Sequence, residues 1–274
     1  MHVNPLSASR ILVDTGSARL VYAKVERPHR WLWLSNCTRR VPRILWTMLA
    51  ENTVVYEYVE GRTLADVVLE DLALSKIGEA ILHAWTLGVE LAHLHSELEE
   101  ASCFEGEWTT LQLLDDRCRL AREAGIEECP KLSSRVKYTA YGHGDPHMYQ
   151  VIVSGANMIF IDLDGEPGSR VPGPPEYDLA AAARSIYYAA IMAGTPGSAR
   201  RLAAAMVGGY CRERRIDLDL LSASYKARVA YEYYFERIAH TGLEWIPESS
   251  LKQLVSGREP VLETMVGVAS ACRG

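Results

Sequence analysis

Tyr141-Gly142-His143-Gly144-Asp145-Pro146-His147-Met148-Tyr149-Gln150 and, seven positions after Gln150, Asn157-Met158-Ile159-Phe160-Ile161-Asp162-Leu163-Asp164-Gly165-Glu166-Pro167 together decide how this chain is read. The pattern is an aspartate, an amide side chain five residues on, then an apolar β-type run closed by a second aspartate. Phosphoryl transfer to an alcohol needs a carboxylate beside the attacking hydroxyl and oxygen ligands for Mg²⁺. Asp145 suits the first task; Gln150 and Asp162 suit the second. A Gly/Pro/Asp-rich turn between a helix and a hairpin uses similar residues. Such a turn has no need of three metal-competent side chains at these offsets, and it is the spaced set, not His-Gly-Asp alone, that is specific.

Outward from that stretch, the chain divides by pattern. Alternating apolar runs dominate residues 1 to about 60: Arg10 to Val13, Arg19 to Val25, Arg43 to Trp46, and Thr53 to Val59, with a turn at Asp14 to Ser17 and a short helix expected from His29 to Leu34. From Thr63 the period becomes helical, with Ile77, Ile81, Ala84, Leu87, Leu91 and Leu94 in register. Further helices are expected over Trp108 to Ala124, 177 to 193, 198 to 207, 218 to 240 and 248 to 270, the last broken near Gly257 and Pro260. The prediction is an α+β chain of two lobes: a small β-rich N-lobe (1–60), a hinge at Tyr58 to Gly61, and a larger, mainly helical C-lobe (61–274) carrying the catalytic loop and metal site.

Composition narrows the partners. With 274 residues and 48% hydrophobic content, the chain can build a full core. A net charge of −6 argues against a generic nucleic-acid or membrane-surface binder. Residues 1–8 contain no apolar run of signal-peptide length, and the apolar stretch from Tyr177 to Ala193 carries Asp178 and Arg184, so a cytoplasmic protein with no membrane span is expected. Six cysteines without a C-x-x-C pair argue against zinc and read as buried thiols; a disulfide among Cys103, Cys118 and Cys129 stays open.

Glu57-Tyr58-Val59-Glu60-Gly61 with Leu64, then Leu91-Ala92-His93-Leu94-His95-Ser96, then the 141–167 segment, resemble in this order the aminoglycoside phosphotransferase and choline kinase group of protein-kinase-like folds. Within the group, His143 to Val151, with Gln at the amide position, is similar to the maltokinase-type sugar kinases. So are the Asp162-Leu163-Asp164-Gly165-Glu166-Pro167 run and Asp178-Leu179-Ala180 followed by Arg184 to Ala190. The N-terminal region is shorter than in that subgroup.

The resemblance implies an ATP-dependent, Mg²⁺-requiring kinase of a small-molecule hydroxyl, with a sugar as the favoured acceptor. It implies Asp145 at the acceptor hydroxyl, and Gln150 and Asp162 on the metal. Lys24 falls on the α/β-phosphates, Ser7 and Ser9 in the place of the phosphate-covering loop, and the Glu57 and Val59 backbones on adenine. Asp164 and Glu166 are candidates for the acceptor or a second metal; His143, His147 and Asp178 for support of the loop. Tyr231, Tyr233, Tyr234, Phe235 and Trp245 suit either sugar stacking or core packing. No glutamate occurs from 29 to 34 to pair with Lys24, and the Asn4–Ser9 stretch has no glycine. Those gaps favour one alternative, a nucleotide-binding pseudokinase; a kinase of protein or RNA is the other alternative. Oligomeric state is not legible.

Overall fold

The computed structural model describes residues 2–7, 10–16, 18–123, 129–132, 135–238 and 260–272, with 2–7 and 233–238 described by backbone alone. Five strands form one antiparallel sheet: β1 (His2–Ser7), β2 (Arg10–Asp14), β3 (Arg19–Lys24), β4 (Ile44–Met48) and β5 (Thr53–Glu57), in the order β1-β2-β3-β5-β4. The register places Arg10 opposite Ala23, Leu12 opposite Val21, Val21 opposite Tyr56 and Ala23 opposite Val54. Cross-strand partners share a face, so Arg10, Leu12, Val21, Ala23, Val54 and Tyr56 form one side of the sheet. Helix α1 (Pro28–Cys37) packs on that side, where Trp31 stacks on Tyr56 at 5.4 Å. Leu20, Tyr22 and Lys24 lie on the other.

Residues 4–7, expected in the phosphate-covering loop, belong to β1, with an irregular register between Pro5 and Ser7. Polar residues there hide a strand that needs only backbone pairing with β2.

The chain leaves β5 and enters the second lobe through β6 (Arg62–Thr63), which pairs with β9 (Val151–Ser154); β9 pairs in turn with β10 (Asn157–Phe160). Thr63 caps α2 (Leu64–Ala73), its hydroxyl accepting from the Asp66 amide at 3.1 Å. The 24-residue α3 (Ile77–Glu100) buries Ala84, Leu87, Leu91 and Leu94 as its spacing requires.

Helix α3 crosses α6 (Ser198–Glu213) at very close range. A Cβ on Gly88 would fall 1.9 Å from the Met206 carbonyl oxygen, and one on Gly209 would fall 2.2 Å from that of Trp85. Only glycine fits either position.

Trp108, expected in a helix, lies in β7 (Glu107–Thr109), paired with β8 (Lys137–Thr139); α4 (Thr110–Glu123) starts after it. Helices α5 (Pro175–Met192), α7 (Leu218–Ile238) and α8 (Pro260–Ala271) complete the C-lobe. A continuous apolar core runs from Val21, Trp31 and Tyr56 through Leu87 and Leu91 to Leu179, Met206 and Met265. No helix among the described residues is long and apolar enough to cross a membrane.

Cysteine usage differs from the expectation of buried thiols. Cys37 at the end of α1 bonds Cys103, and Cys118 of α4 bonds Cys129. The first bridge spans 66 residues, a pairing that only the packing of α1 against α3 makes visible.

Candidate active site

Residues 140–150 form a loop held by its own backbone groups. Gly142 has φ +152°, and a Cβ there would sit 2.6 Å from Asp178 Oδ2. That closeness lets Asp178, in the first turn of α5, accept from the His143 amide at 2.7 Å and the Gly144 amide at 2.8 Å. His95 at the end of α3 meets the same carboxylate at 3.0 Å and Tyr210 at 2.9 Å. The His143 ring lies 2.9 Å from the Ile161 carbonyl and receives the Asp145 amide on its other nitrogen at 3.3 Å. From α1, Arg30 donates to the carbonyls of Gly142, His143 and Leu163, and pairs with Glu105. The loop is thus fixed from both lobes.

Asp145 is buried at the centre. Arg228 of α7 donates to its Oδ1 at 2.6 Å, and His147 Nε2 lies 3.8 Å from Oδ2. Burial raises the Asp145 carboxyl, but the Arg228 guanidinium, through its charge and its hydrogen bond, outweighs it and holds the pKa below the usual range. Asp145 therefore stays ionised at neutral pH, a state suited to orienting a hydroxyl. Burial keeps both His143 and His147 neutral.

Arg228 also bonds Glu166 and, at 3.2 Å, Glu232. Glu166 is itself sealed away: Arg117 donates to it at 2.7 Å and the Tyr177 hydroxyl at 2.6 Å. Arg117 continues to Asp116 at 2.7 Å, and Glu232 to Arg184 at 2.8 Å. Buried charges persist only when paired and hydrogen-bonded, and this chain of alternating sign meets that condition. Glu166 thus reaches Asp145 through Arg228 rather than facing an acceptor. The Tyr231 ring lies 5.3 Å from the Arg228 guanidinium carbon, beside this group. The side chains of Tyr233, Tyr234 and Phe235, and all of Trp245, lie outside the described residues.

The backbone sets two of the expected metal ligands next to each other. The Ile161 amide donates to the Gln150 carbonyl at 2.8 Å, bringing Asp162 beside Gln150. The Gln150 side-chain oxygen is buried without a hydrogen-bond partner. Leaving an acceptor dry is costly, and a cation would satisfy it. Asp162 adopts φ +66°, a left-handed backbone rare for a residue with a side chain; such outliers gather at functional sites. Among the described residues no cluster of three His, Cys, Asp or Glu side chains forms a self-sufficient metal cage. One carboxylate plus one amide fits Mg²⁺, which takes its other ligands from phosphate and water.

Other expected residues go elsewhere. Asp164 accepts from the Glu26 amide at 3.0 Å, the Arg27 amide at 2.9 Å and Trp31 Nε1 at 2.9 Å, so both oxygens are committed to joining α1 to the C-lobe. Lys24 Nζ donates to the Glu51 carbonyl at 2.7 Å, on the sheet face away from Asp162. The Glu57 amide is used by the Arg43 carbonyl and that of Tyr58 by the Arg19 carbonyl, which leaves recognition through N–H groups to residues from Val59 onward. Ser7 is placed by its backbone in β1, and Ser9 lies outside the described residues.

Three arginines were not legible in the sequence: Arg10, Arg30 and Arg228. Their partners are distant in the chain, 83 residues for Arg228 and Asp145. The only signal was the excess of arginine over lysine.

No family model matches this chain. Its structure superposes on a glucosamine kinase solved with glucosamine, ADP and inorganic phosphate: TM-score 0.65, 16% identity, covering 95% of this chain and 78% of that one. A second crystal form of glucosamine kinase gives 0.62 at 17% identity, over 96% of this chain and 76% of that one. This is a two-lobed kinase-like fold. A choline/ethanolamine kinase family protein from Mesorhizobium loti shares it at TM-score 0.53 and 11% identity, over 99% of this chain and 93% of that one.

Proposed function

We propose that this chain is an ATP- and Mg²⁺-dependent kinase that phosphorylates a hydroxyl of a small molecule, with a sugar as acceptor. The observation that carries the reading is a clamped, ionised Asp145 on the loop leading to Gln150, whose buried side-chain oxygen has no protein partner and whose backbone is bonded beside Asp162 in a left-handed conformation. A fold shared with glucosamine kinase supports the choice of acceptor class. So does the sequence likeness of 143–167 to maltokinase-type kinases.

In this mechanism Asp145 accepts a hydrogen bond from the acceptor hydroxyl and aligns its oxygen. Because Arg228 lowers its proton affinity, it positions the nucleophile and takes the proton late, as expected where the transition state is loose. Asp162 and Gln150 would hold Mg²⁺. When bound, the metal and nucleotide supply the electrophilic γ-phosphoryl group and neutralise its charge. His143, Asp178 and Arg30 keep the loop from yielding as the oxygen advances, which preserves the positioning on which catalysis depends.

Two observations favour the pseudokinase reading: Lys24 faces away from Asp162, and α1 has no acidic residue to pair with it. Turnover of Mg·ATP, measured with maltose, amino sugars, choline-like alcohols and tRNA, separates the alternatives. Transfer to a sugar carries the proposal. Transfer to tRNA alone moves it to a macromolecular substrate, and nucleotide binding without transfer to any acceptor moves it to a scaffold.

A further inference from the structure

The outward Lys24 leaves the kinase-like cleft without its expected cation. Among the described residues, other cations reach the segment that follows β10. Arg27 is tied to the Ser169 carbonyl at 2.6 Å. Arg30 is spent on the carbonyls of Gly142, His143 and Leu163 and on Glu105. Arg10 is different. It leaves the sheet beside Ala23, on the face that carries Tyr56, and its Nη2 lies 2.6 Å from Asp162 Oδ2. It thus sits on the carboxylate assigned to the metal. The pair is only partly buried, at 22% and 31% exposure, and such a pair gains little net stability. Arriving phosphates, more highly charged than one carboxylate, can therefore draw the guanidinium away.

We propose that Arg10 on β2, not Lys24 on β3, meets the nucleotide phosphates in this protein, and that before they arrive it occupies Asp162 and opposes metal binding. The inference rests on the kinase reading above. Its chemistry is an exchange of partners: the guanidinium passes from carboxylate to phosphate, where its planar fork forms charge-assisted bonds, and Asp162 is freed for Mg²⁺. Metal and nucleotide then bind together, and each alone binds weakly.

Calorimetry on the full chain with Mg·ATP, ADP and adenosine tests this, using Arg10→Ala, Arg10→Lys and Lys24→Ala whose folding is checked by circular dichroism. Arg10→Ala is expected to weaken Mg·ATP roughly 10- to 100-fold, to leave adenosine unchanged, and to be partly rescued in Arg10→Lys. Lys24→Ala is expected to match the wild type. Titration with Mn²⁺ alone gives a second readout of opposite sign: Arg10→Ala should bind it more tightly, because Asp162 is released. A loss in Lys24→Ala equal to or larger than that in Arg10→Ala overturns the inference while leaving the kinase reading intact. Unchanged or weaker Mn²⁺ binding in Arg10→Ala overturns the exchange. Failure of the wild type to bind any adenine nucleotide overturns the kinase reading itself, and the inference with it.

Discussion

Burial alone would raise the Asp145 carboxyl; the Arg228 contact reverses the direction. Asp145→Asn keeps the shape of the side chain, and Arg228 retains Glu166 and Glu232 as partners. The variant should fold and bind nucleotide like the wild type while turnover falls by roughly 10²- to 10⁴-fold, as single-turnover kinetics would show. A variant as active as the wild type would remove Asp145 from the chemistry.

Glu176 gives a prediction of another kind. Burial lifts its carboxyl to about 7 against hydrogen bonds from backbone amides, Asp217 N among them. The folded chain therefore binds this proton more tightly than the unfolded chain, whose value is near 4.5. The stability this group contributes is full below that lower value and is lost as pH rises through about 7. Glu176→Gln, fixed in the neutral form, should gain stability relative to the wild type by roughly 3 kcal/mol between the two ends of that window. Urea unfolding at pH 5 and pH 8 measures it, and equal differences at the two pH values would refute the assignment.

At the scale of elements, the loop depends on the start of α5. Asp178 accepts from two loop amides and meets His95, with almost no solvent access. Asp178→Ala leaves these donors buried and unpaired, a loss of about 1–3 kcal/mol for each group left unsatisfied. Denaturant unfolding should show a deficit of at least ~2 kcal/mol, with a smaller one in Asp178→Asn, which retains one acceptor oxygen. Equal stability in Asp178→Ala would mean that the loop is held by Arg30 and His143 instead. The hairpin of β9 and β10 is the second element on which the site depends, since the Ile161–Gln150 hydrogen bond sets Asp162 beside its amide partner.

For the whole molecule, the disulfides are the covalent cross-links between elements. Cys37–Cys103 ties the end of α1 to the end of α3 across 66 residues, whereas Cys118–Cys129 closes a separation of 11. Loop-closure entropy assigns roughly 4 kcal/mol to the first and roughly 3 kcal/mol to the second. Thermal unfolding with and without a strong thiol reductant should show a clear drop on reduction, and Cys103→Ser should reproduce the larger share. A melting temperature insensitive to reduction would show that the bridges add nothing to the stability of the packed core.

Much of the site was legible because its residues are close in the chain. Asp145, Gln150 and Asp162 lie on one loop and one hairpin, so their spacing carries their geometry. The same locality made the long helices visible, through a period of buried residues in α3 and a near-continuous apolar run in α5. The strand at residues 2–7 escaped because Asn4, Pro5 and Ser7 interrupt the apolar alternation that marked the other strands, although its backbone still pairs with β2. The cation facing the cleft depends on the register of β2 and β3, since a shift of one position turns a side chain to the opposite face. Lys24 therefore matched the expected strand yet points outward, while Arg10 points in. Glu166 stood in an acidic run like a ligand, but Arg117 and Tyr177, contributed by α4 and α5, enclose it. Arg228 meets Asp145 only because α7 packs against the loop. Short-range spacing encodes the candidate reactive groups; long-range packing selects which charges surround them, because electrostatic partners need proximity in space and none along the chain.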